Sequence, residues 1–590
     1  MRRLFFILVL LLIAGPAFAD DAPLNRLVAD YEAFDLSQDP FSAAHEGDRA
    51  ALSRLPDPSP AADALRKRAF EGFQARLAAI DPVGLSTEAR LNRDFLAWTL
   101  DRRLKSLGFD EARLPFNSDS GFDQDLDYSA STTNLDTEAD ARAWIARLQA
   151  LPAYYAASVE NARRGVRSRF TQPRTTVLAV IARAKAEAAR PVETDPLLAP
   201  FDTLPATMPT TQRAALKAEG AAVVQGRIRP AQAAFAAFLQ TEYLPAARPS
   251  LAARSLPNGE AYYRWLVADH TTTALTPDQI HAIGLSEVKR IRGEMETVIR
   301  ETGFQGDLPA FIAMLRKDPR FYVTSREALL EKAALEVSRI EDKLPRYFGT
   351  LPRLPLAVRP VPREIEDGYT SARYFEGSPK QGIAGGYMVN TSHLDQRPLY
   401  ELPALTLHEG IPGHHLQIAL GQEPEGVPAF RRNADVTAFT EGWGLYSERL
   451  GEEMGVYQGP YERFGRLSME MWRACRLVAD TGLHWMGWSV DQARVCFADN
   501  TALSSLNIEV ELARYVSWPG QALAYKVGEL KLVELRHKAE AALGPRFDVR
   551  RFHDAVLLAG PLPLDLLERR IDAWIITENS PNLTPASSKY

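Results

Sequence analysis

The chain has 590 residues, of which 46% are hydrophobic, and a formal net charge of −6. This composition can fill a large core, and the length suggests several subdomains or one large helical enzyme. The slight excess of acidic residues argues against nucleic-acid binding, which a basic surface would favour.

The first nineteen residues have the pattern of a secretory signal peptide. Arg2 and Arg3 precede an apolar run at 4–14, and Ala17-Phe18-Ala19 forms a small-x-small cleavage signal. No cysteine stands directly after this signal to carry a lipid, and no later stretch is apolar enough to cross a bilayer. We therefore expect an exported, soluble protein, periplasmic in a Gram-negative bacterium and without membrane insertion.

Residues 20–350 are predicted to form a helical N-terminal half. They are rich in Ala, Leu, Arg and Glu, and their apolar residues recur at spacings of three and four, which is typical of amphipathic helices. Proline-rich stretches at 56–60 and 191–209 interrupt this pattern. The clearest predicted helices are Glu88–Leu107, Asp136–Arg163, Pro209–Leu239 and Pro277–Thr302.

The helical period disappears between Leu351 and Thr391. Three short strands, bounded by Gly and Pro, are predicted there: Leu354–Pro362, Ser371–Phe375 and Gly385–Thr391. The resulting sheet is either a plain structural hairpin or a surface whose edge strand holds an extended peptide by backbone hydrogen bonds.

The rest of the chain is again predicted to be helical, which gives a second, mixed half at 351–590 with a boundary near residue 350. Apolar periodicity and flanking Gly and Pro residues define the helices. The predicted helices are Pro398–Leu420, Arg432–Glu453, Tyr461–Trp485, Val490–Trp518, Gln521–Leu543 and Leu562–Ile576.

Residues 408–415, His-Glu-Gly-Ile-Pro-Gly-His-His, hold three of the ten histidines of the chain. Zinc takes neutral imidazole nitrogens and carboxylate oxygens, and a catalytic zinc site leaves one position for water. A glutamate beside a ligand can act as a base toward that water. The alternative is a polar helix end without metal, but the density of imidazole and carboxylate groups favours a metal site.

The usual His-Glu-x-x-His spacing is absent, because the residue four positions after His408 is Pro412. Pro412 cannot donate an amide hydrogen bond to the carbonyl of residue 408, and its ring clashes there. Two flanking glycines give the backbone the freedom to bulge. We therefore predict that the helix breaks between His408 and His414, with two extra residues looped out. His414 is then the preferred second ligand, with His415 as the alternative.

A third ligand is expected from the following predicted helix, in the segment Ala438–Glu448. Glu441 lies 33 residues after His408, near the start of that helix, and the two glycines beside it would let two helices pack closely. Glu448 lies on the same helix face two turns further on and is the alternative ligand.

Only two cysteines occur, Cys475 and Cys496. In an oxidising compartment they either pair or remain two buried thiols. Neither is near the histidine-rich octet in sequence, which argues against a thiolate zinc site.

Several segments together resemble the bacterial domain-of-unknown-function 885 family, over nearly the whole chain after the signal peptide. That family is grouped with gluzincin-type zinc metallopeptidases, and it is most similar to the mainly helical carboxypeptidases and oligopeptidases, whose long helices wall a deep cleft. The segments that carry the resemblance are 385–391 (Gly-Gly-Tyr-Met-Val-Asn-Thr), 408–415, 440–448 (Thr-Glu-Gly-Trp-Gly-Leu-Tyr-Ser-Glu), 514–528 and 547–564.

The resemblance implies a role for each candidate residue. It implies one zinc ion held by His408, His414 and Glu441, with Glu409 as the general base. Tyr525 lies in a segment similar to the glycine- and tyrosine-rich segment that oligopeptidases place over the scissile carbonyl. It is therefore expected to donate a hydrogen bond to the developing oxyanion. A core tyrosine is the alternative.

These predictions combine into one expected architecture and function. The fold should be mainly α, a large multi-helix, cleft-forming structure with a small β-sheet next to a zincin-like active-site helix pair. Residues 1–19 are the signal peptide, 20–350 the helical cleft wall and 351–590 the zincin-like catalytic half. The expected function is zinc-dependent hydrolysis of a peptide substrate. The alternatives are a catalytically impaired peptide-binding protein with the same cleft, or a metallohydrolase of another amide or ester.

Overall fold

The computed structural model describes residues 20–580 except 119, 364, 365, 367, 368, 379–381 and 425. The predicted signal peptide at 1–19 lies outside these described residues. Within them, the fold is mainly helical with one small sheet, as predicted. No helix in this part of the chain is both long enough and apolar enough to cross a membrane.

Fourteen α-helices precede the sheet and ten follow it in the described part of the chain. The first group is α1 Ala22–Gln38, α2 Pro40–His45, α3 Pro60–Ala78, α4 Thr87–Phe109, α5 Gln124–Ser131, α6 Glu138–Ser168, α7 Arg174–Ala189, α8 Thr210–Val223, α9 Arg229–Phe238, α10 Leu244–Ala246, α11 Gly259–Thr271, α12 Pro277–Glu301, α13 Leu308–Leu315 and α14 Arg326–Glu341. The second group is α15 Leu402–Glu409, α16 His414–Gln422, α17 Ala429–Arg432, α18 Thr437–Glu453, α19 Pro460–Thr481, α20 Val490–Asn500, α21 Ser505–Ser517, α22 Ala524–Leu543, α23 Val549–Leu557 and α24 Leu564–Asn579.

Side-chain caps fix the start of three long helices that the sequence predicts. Ser86 accepts a hydrogen bond from a first-turn amide of α4. Thr137 with Asp140, and Thr276 with Gln279, form reciprocal capping boxes at the start of α6 and α12. Each cap gives a partner to first-turn amides that have none within the helix, which is why these helices begin where they do.

The sheet has three strands in the order β1-β3-β2. β1 (Leu356–Pro360) is parallel to β3 (Gly385–Val389), and β2 (Ala372–Phe375) is antiparallel to β3, so β2 is an edge strand. All three predicted strands are confirmed. The buried Tyr387 hydroxyl in β3 lies 3.2 Å from the Thr406 hydroxyl in α15, which places the sheet directly against the first histidine-bearing helix.

The prediction of one helix over Val490–Trp518 is wrong. The chain forms α20 and α21 there, separated by four residues. Ser504 caps α21 by accepting a hydrogen bond from the amide of Asn507. The guanidinium of Arg316 donates to the carbonyls of residues 501–503, so it takes up acceptors that a continuous helix would use internally.

The three largest hydrophobic clusters of the described residues connect most of the helices. One joins α2 to α5–α9 in the N-terminal half, and another surrounds the sheet together with α15, α16, α18 and α22–α24. The third joins α12 and α13 to α19–α21, on both sides of the predicted boundary near residue 350. Gly284 of α12 packs so closely on α19 that an added Cβ would lie 2.8 Å from the Leu477 Cβ. The division into halves at residue 350 stays a prediction.

Cys475 and Cys496, whose pairing the sequence left open, form a disulfide that joins α19 to α20.

We predict that the Cys475→Ala/Cys496→Ala variant unfolds at a lower temperature and loses about 3 kcal/mol of stability, because the bridge restricts the unfolded chain over 21 residues. Thermal denaturation with and without dithiothreitol provides the measurement. Dithiothreitol should lower the Tm of the wild type and leave that of the variant unchanged; equal Tm values for both oxidised proteins would contradict the prediction.

Candidate metal centre

The predicted helix break is present at Pro412. α15 ends at Glu409 and α16 begins at His414. The buried indole of Trp443, on α18, donates a hydrogen bond to the Pro412 carbonyl at 2.7 Å. The turn between the two helices is therefore fixed by a side chain from the helix that also carries the predicted third ligand.

Glycines allow the backbone and the imidazole of His408 to be packed closely. A Cβ added at Gly413 would lie 1.9 Å from the His408 carbonyl oxygen, and one at Gly444 would lie 2.7–2.9 Å from three atoms of the His408 ring. A Cβ at Gly442 would lie 2.5 Å from the backbone of Gly528, so α18 and α22 also touch at glycines. Larger residues at these positions would push His408 and α18 apart.

His408, His414 and Glu441 converge on one point. The Nε2 atoms of His408 and His414 each lie 3.4 Å from Glu441 Oε2. One ligand atom from each of the three residues lies within 4.8 Å of the other two. Both histidines are buried, and the Glu441 side chain is 18% exposed.

This set of donors fits a zinc ion. Two ligands at about 2.0–2.1 Å from a tetrahedral zinc lie about 3.3 Å apart, which is close to the observed 3.4 Å. Glu441 Oε2 is buried and has no hydrogen-bond partner in the described part of the chain. A bound cation would satisfy this oxygen, and two imidazoles with one carboxylate are a usual donor set for zinc.

Glu448, the alternative ligand, lies on the other side of the His408 ring. Its Oε1 is 2.8 Å from His408 Nδ1 and forms an ion pair with Arg473, whose Nη2 lies 3.1 Å away. All three side chains are buried. Metal-binding histidines commonly give their second ring N–H to a carboxylate, which fixes the ring orientation and the tautomer. Glu448 and Arg473 can therefore orient His408 with its Nε2 toward Glu441.

The electrostatics of the centre favour positive charge. Burial lowers the pKa of His408, but the neighbouring carboxylates of Glu441 and Glu448 outweigh this effect and raise the pKa to about 9. Burial raises the pKa of Glu441, but His414 and His408 hold it well below its usual value. Carboxylate charge in a buried site stabilises any cation held between these groups.

His415 lies outside this cluster. Its Nε2 is 3.0 Å from the Leu354 carbonyl, its Nδ1 is 3.2 Å from the Tyr374 hydroxyl, and burial lowers its pKa to about 4. A Cβ added at Gly385 of β3 would lie 2.5 Å from His415 Nδ1. The neutral His415 ring therefore packs α16 against the sheet.

Glu409 faces the edge strand. Its Oε2 accepts a hydrogen bond from the backbone amide of Tyr374, in β2, at 2.7 Å. Glu409 is partly exposed and is not one of the three clustered residues. The Tyr374 amide thus holds the Glu409 carboxylate at the outer edge of the sheet.

Tyr525 also lies next to the cluster. Its ring is almost parallel to the His408 ring, at an angle of 16° and a centroid distance of 6.4 Å. The Arg476 guanidinium lies over the Tyr525 ring, with its central carbon 4.1 Å from the ring centre. Sequence reasoning missed Arg473 and Arg476, because two arginines three residues apart on a helix are too common a pattern to mark a site.

The chain belongs to the family described as bacterial protein of unknown function (DUF885), whose model matches residues 40–571. The family predicted from the motifs is thus confirmed. No curated protein matches the chain.

Two solved structures share the fold. A putative lipoprotein from Colwellia psychrerythraea is 28% identical, with a TM-score of 0.89 over 95% of this chain and 100% of that chain. A putative lipoprotein of unknown function from Shewanella oneidensis is 19% identical, with a TM-score of 0.70 over 92% and 98% of the two chains. Neither description names a peptidase or a metal, so the resemblance to gluzincin-type peptidases and the zincin-like architecture stay predictions.

We predict that Gly444→Ala weakens zinc binding by about 10–100-fold, because its new Cβ displaces the His408 ring. Competition against a chromophoric chelator measures the affinity. Gly293→Ala is the matched control, since a Cβ at this helical glycine meets no atom within 4 Å. It should leave zinc affinity unchanged; equal affinities for all three proteins would contradict the prediction.

A second prediction concerns the buried carboxyl group of Asp480. It accepts hydrogen bonds from the Tyr263 hydroxyl and from the backbone amide of Gly520, five residues before Tyr525. Burial raises the pKa of Asp480 from 3.8 to about 7, against the lowering effect of these two hydrogen bonds. The folded protein therefore binds a proton that the unfolded chain releases, so ionisation of Asp480 lowers the free energy of unfolding as pH rises between these two values.

Asp480→Asn should remove this contribution. Urea denaturation of both proteins across that pH range measures it, and the difference between them cancels the other titrating groups. The stability of the wild type relative to the variant should fall as pH rises. A difference that does not depend on pH would show the prediction to be wrong.

Proposed function

We propose that the protein is an exported, zinc-dependent hydrolase that cleaves peptide bonds. The observation that carries this proposal is the convergence of His408, His414 and Glu441, with Glu441 Oε2 at 3.4 Å from both imidazole nitrogens. Two histidines and one glutamate form a donor set typical of catalytic zinc sites, which keep a further position open.

Each surrounding residue has a distinct role in this proposal. His408, His414 and Glu441 would hold a zinc ion, which would supply Lewis-acid chemistry toward a carbonyl and a water molecule. Glu409 would accept the proton of the attacking water, while the Tyr374 amide holds one of its two carboxylate oxygens in place. Glu448 and Arg473 keep His408 in the required orientation. Tyr525 donates a hydrogen bond to the oxyanion that forms on the substrate.

The edge strand β2 supports a peptide as the substrate. A strand at the edge of a sheet can pair with an extended peptide through main-chain hydrogen bonds. The outer edge of β2 is the edge that contacts Glu409 through the Tyr374 amide. Glu409 occupies the Tyr374 amide itself, so a peptide paired with the remaining part of this edge would lie next to the proposed general base.

Three observations support export. The chain begins with a signal-peptide pattern, and the similar protein from Colwellia psychrerythraea is described as a putative lipoprotein. The Cys475–Cys496 disulfide fits an oxidising compartment such as the periplasm.

We predict that the purified protein contains one zinc ion per chain and cleaves peptides. Glu409→Gln should retain the zinc and the Tyr374 contact but lose about 10²–10⁴-fold in turnover, because an amide cannot accept the proton. His408→Ala should lose the metal. Metal analysis and cleavage of a peptide library measure these outcomes.

The controls separate the alternatives. Zinc-free protein with full activity would contradict the proposal. Bound zinc without cleavage of any peptide would favour a peptide-binding protein, and cleavage restricted to other amides or esters would favour a different metallohydrolase.

A further inference from the structure

Arg514 contacts the hydroxyl of the proposed oxyanion donor. Its Nη2 donates a hydrogen bond to Tyr525 Oη at 3.2 Å. Arg514 is on α21 and Tyr525 is in the first turn of α22, so this hydrogen bond spans the short connection between the two helices.

The direction of this hydrogen bond is fixed by chemistry. A guanidinium group has donors and no acceptor, so the Tyr525 oxygen must accept. The hydrogen of the Tyr525 hydroxyl then has to point elsewhere, and no acceptor for it occurs among the residues that the structure describes. This hydrogen is therefore available to an oxygen that approaches from outside the protein.

The position of Tyr525 makes its hydroxyl hydrogen relevant to the site. Tyr525 is 5% exposed, and its ring lies beside that of His408, one of the three clustered residues. Arg476 holds the ring from a second direction, with its guanidinium 4.1 Å from the ring centre. Arg476 is itself anchored by Glu511 and by the Tyr515 hydroxyl, both at 2.8 Å. The ring therefore has little freedom to turn.

Arg514 is held in a defined orientation as well. The same Nη2 donates to Gln521 Oε1 at 2.9 Å, and Nη1 lies 3.9 Å from Glu511 Oε1. The two hydrogens of Nη2 thus reach Gln521 and Tyr525 together. A lysine ammonium is a compact group without this planar geometry, so it would reproduce the pair of contacts only in part.

We propose that Arg514 is a positioning residue that holds the Tyr525 hydroxyl with its hydrogen directed at the oxyanion of the substrate. This inference rests on the proposed hydrolytic function. Arg514 acts through Tyr525 and does not contact the substrate. Its loss should therefore reduce the rate of the chemical step and leave substrate binding largely unchanged.

A double-mutant cycle on the zinc-loaded enzyme tests this coupling, using a peptide that the wild type cleaves. We expect Tyr525→Phe to lower kcat by about 100-fold, the effect of removing one oxyanion donor, and Arg514→Met to lower it by about tenfold. The double variant should be no slower than Tyr525→Phe, with KM within about twofold of the wild type throughout. Arg514→Lys should recover part of the kcat lost in Arg514→Met.

Controls exclude loss of folding as the cause. Zinc content and Tm are measured for each variant, and Arg494→Met serves as the matched arginine control. Arg494 pairs with Asp491 and Glu509 on the exposed face of α20 and α21. Its replacement should leave kcat unchanged.

The possible outcomes are distinct. Multiplicative losses in the double variant, or a raised KM with kcat unchanged, would overturn the inference because Arg514 would then act independently of Tyr525. An active wild type with an equally active Arg514→Met variant would also overturn it and leave the proposed function intact. A zinc-loaded wild type that cleaves no peptide would overturn the proposed function, and this inference with it.

Discussion

Pro412 has no amide hydrogen, so α15 cannot continue into α16 as one helix. The chain turns after Glu409 and becomes helical again at His414, which brings this residue back toward His408. The hydrogen bond from Trp443 to the Pro412 carbonyl connects the turn to α18. The helix that fixes the turn also supplies Glu441 and Glu448. The cluster of His408, His414 and Glu441, and the contact of Glu448 with His408, therefore both depend on the helix break at Pro412.

Packing at glycines completes the arrangement. Gly444 leaves space for the His408 ring, and contact between Gly442 and Gly528 sets α18 directly against α22. Tyr525 is on α22 and Glu441 is on α18, so this contact determines how near the proposed oxyanion donor lies to the clustered residues. The family to which the chain belongs is described as one of unknown function, so the proposed hydrolytic function rests on the geometry of these side chains.

The features of the site that obey local rules could be predicted from the sequence. The break at Pro412 follows from the chemistry of one residue, and the short strands follow from the loss of helical period. The choice between His414 and His415 depends on more distant groups, because the Leu354 carbonyl and the Tyr374 hydroxyl hold the His415 ring.

Features that depend on contacts between residues distant in the chain could not be predicted from local sequence patterns. The choice between Glu441 and Glu448 depends on where α18 lies along α15, which no local pattern encodes. The break between α20 and α21 depends on Arg316, far away in the chain, and apolar periodicity alone predicted a continuous helix. The Arg514–Tyr525 hydrogen bond likewise depends on the three-dimensional path of the chain between α21 and α22.

The interruption at Pro412 also bears on the coupling of metal binding to folding. In a regular His-x-x-x-His helix the two imidazoles are placed by local geometry, and an isolated helical turn can offer both to a metal ion. Here the two rings face each other only when Trp443 and α18 are docked on the turn, so the unfolded chain has no comparable pair to offer. A cation that binds only the native state stabilises it by RT ln(1 + [L]/Kd), because none of this gain is offset by binding to the unfolded protein. The thermal stability of this chain should therefore increase directly with the fraction of the His408–His414–Glu441 site that holds a cation.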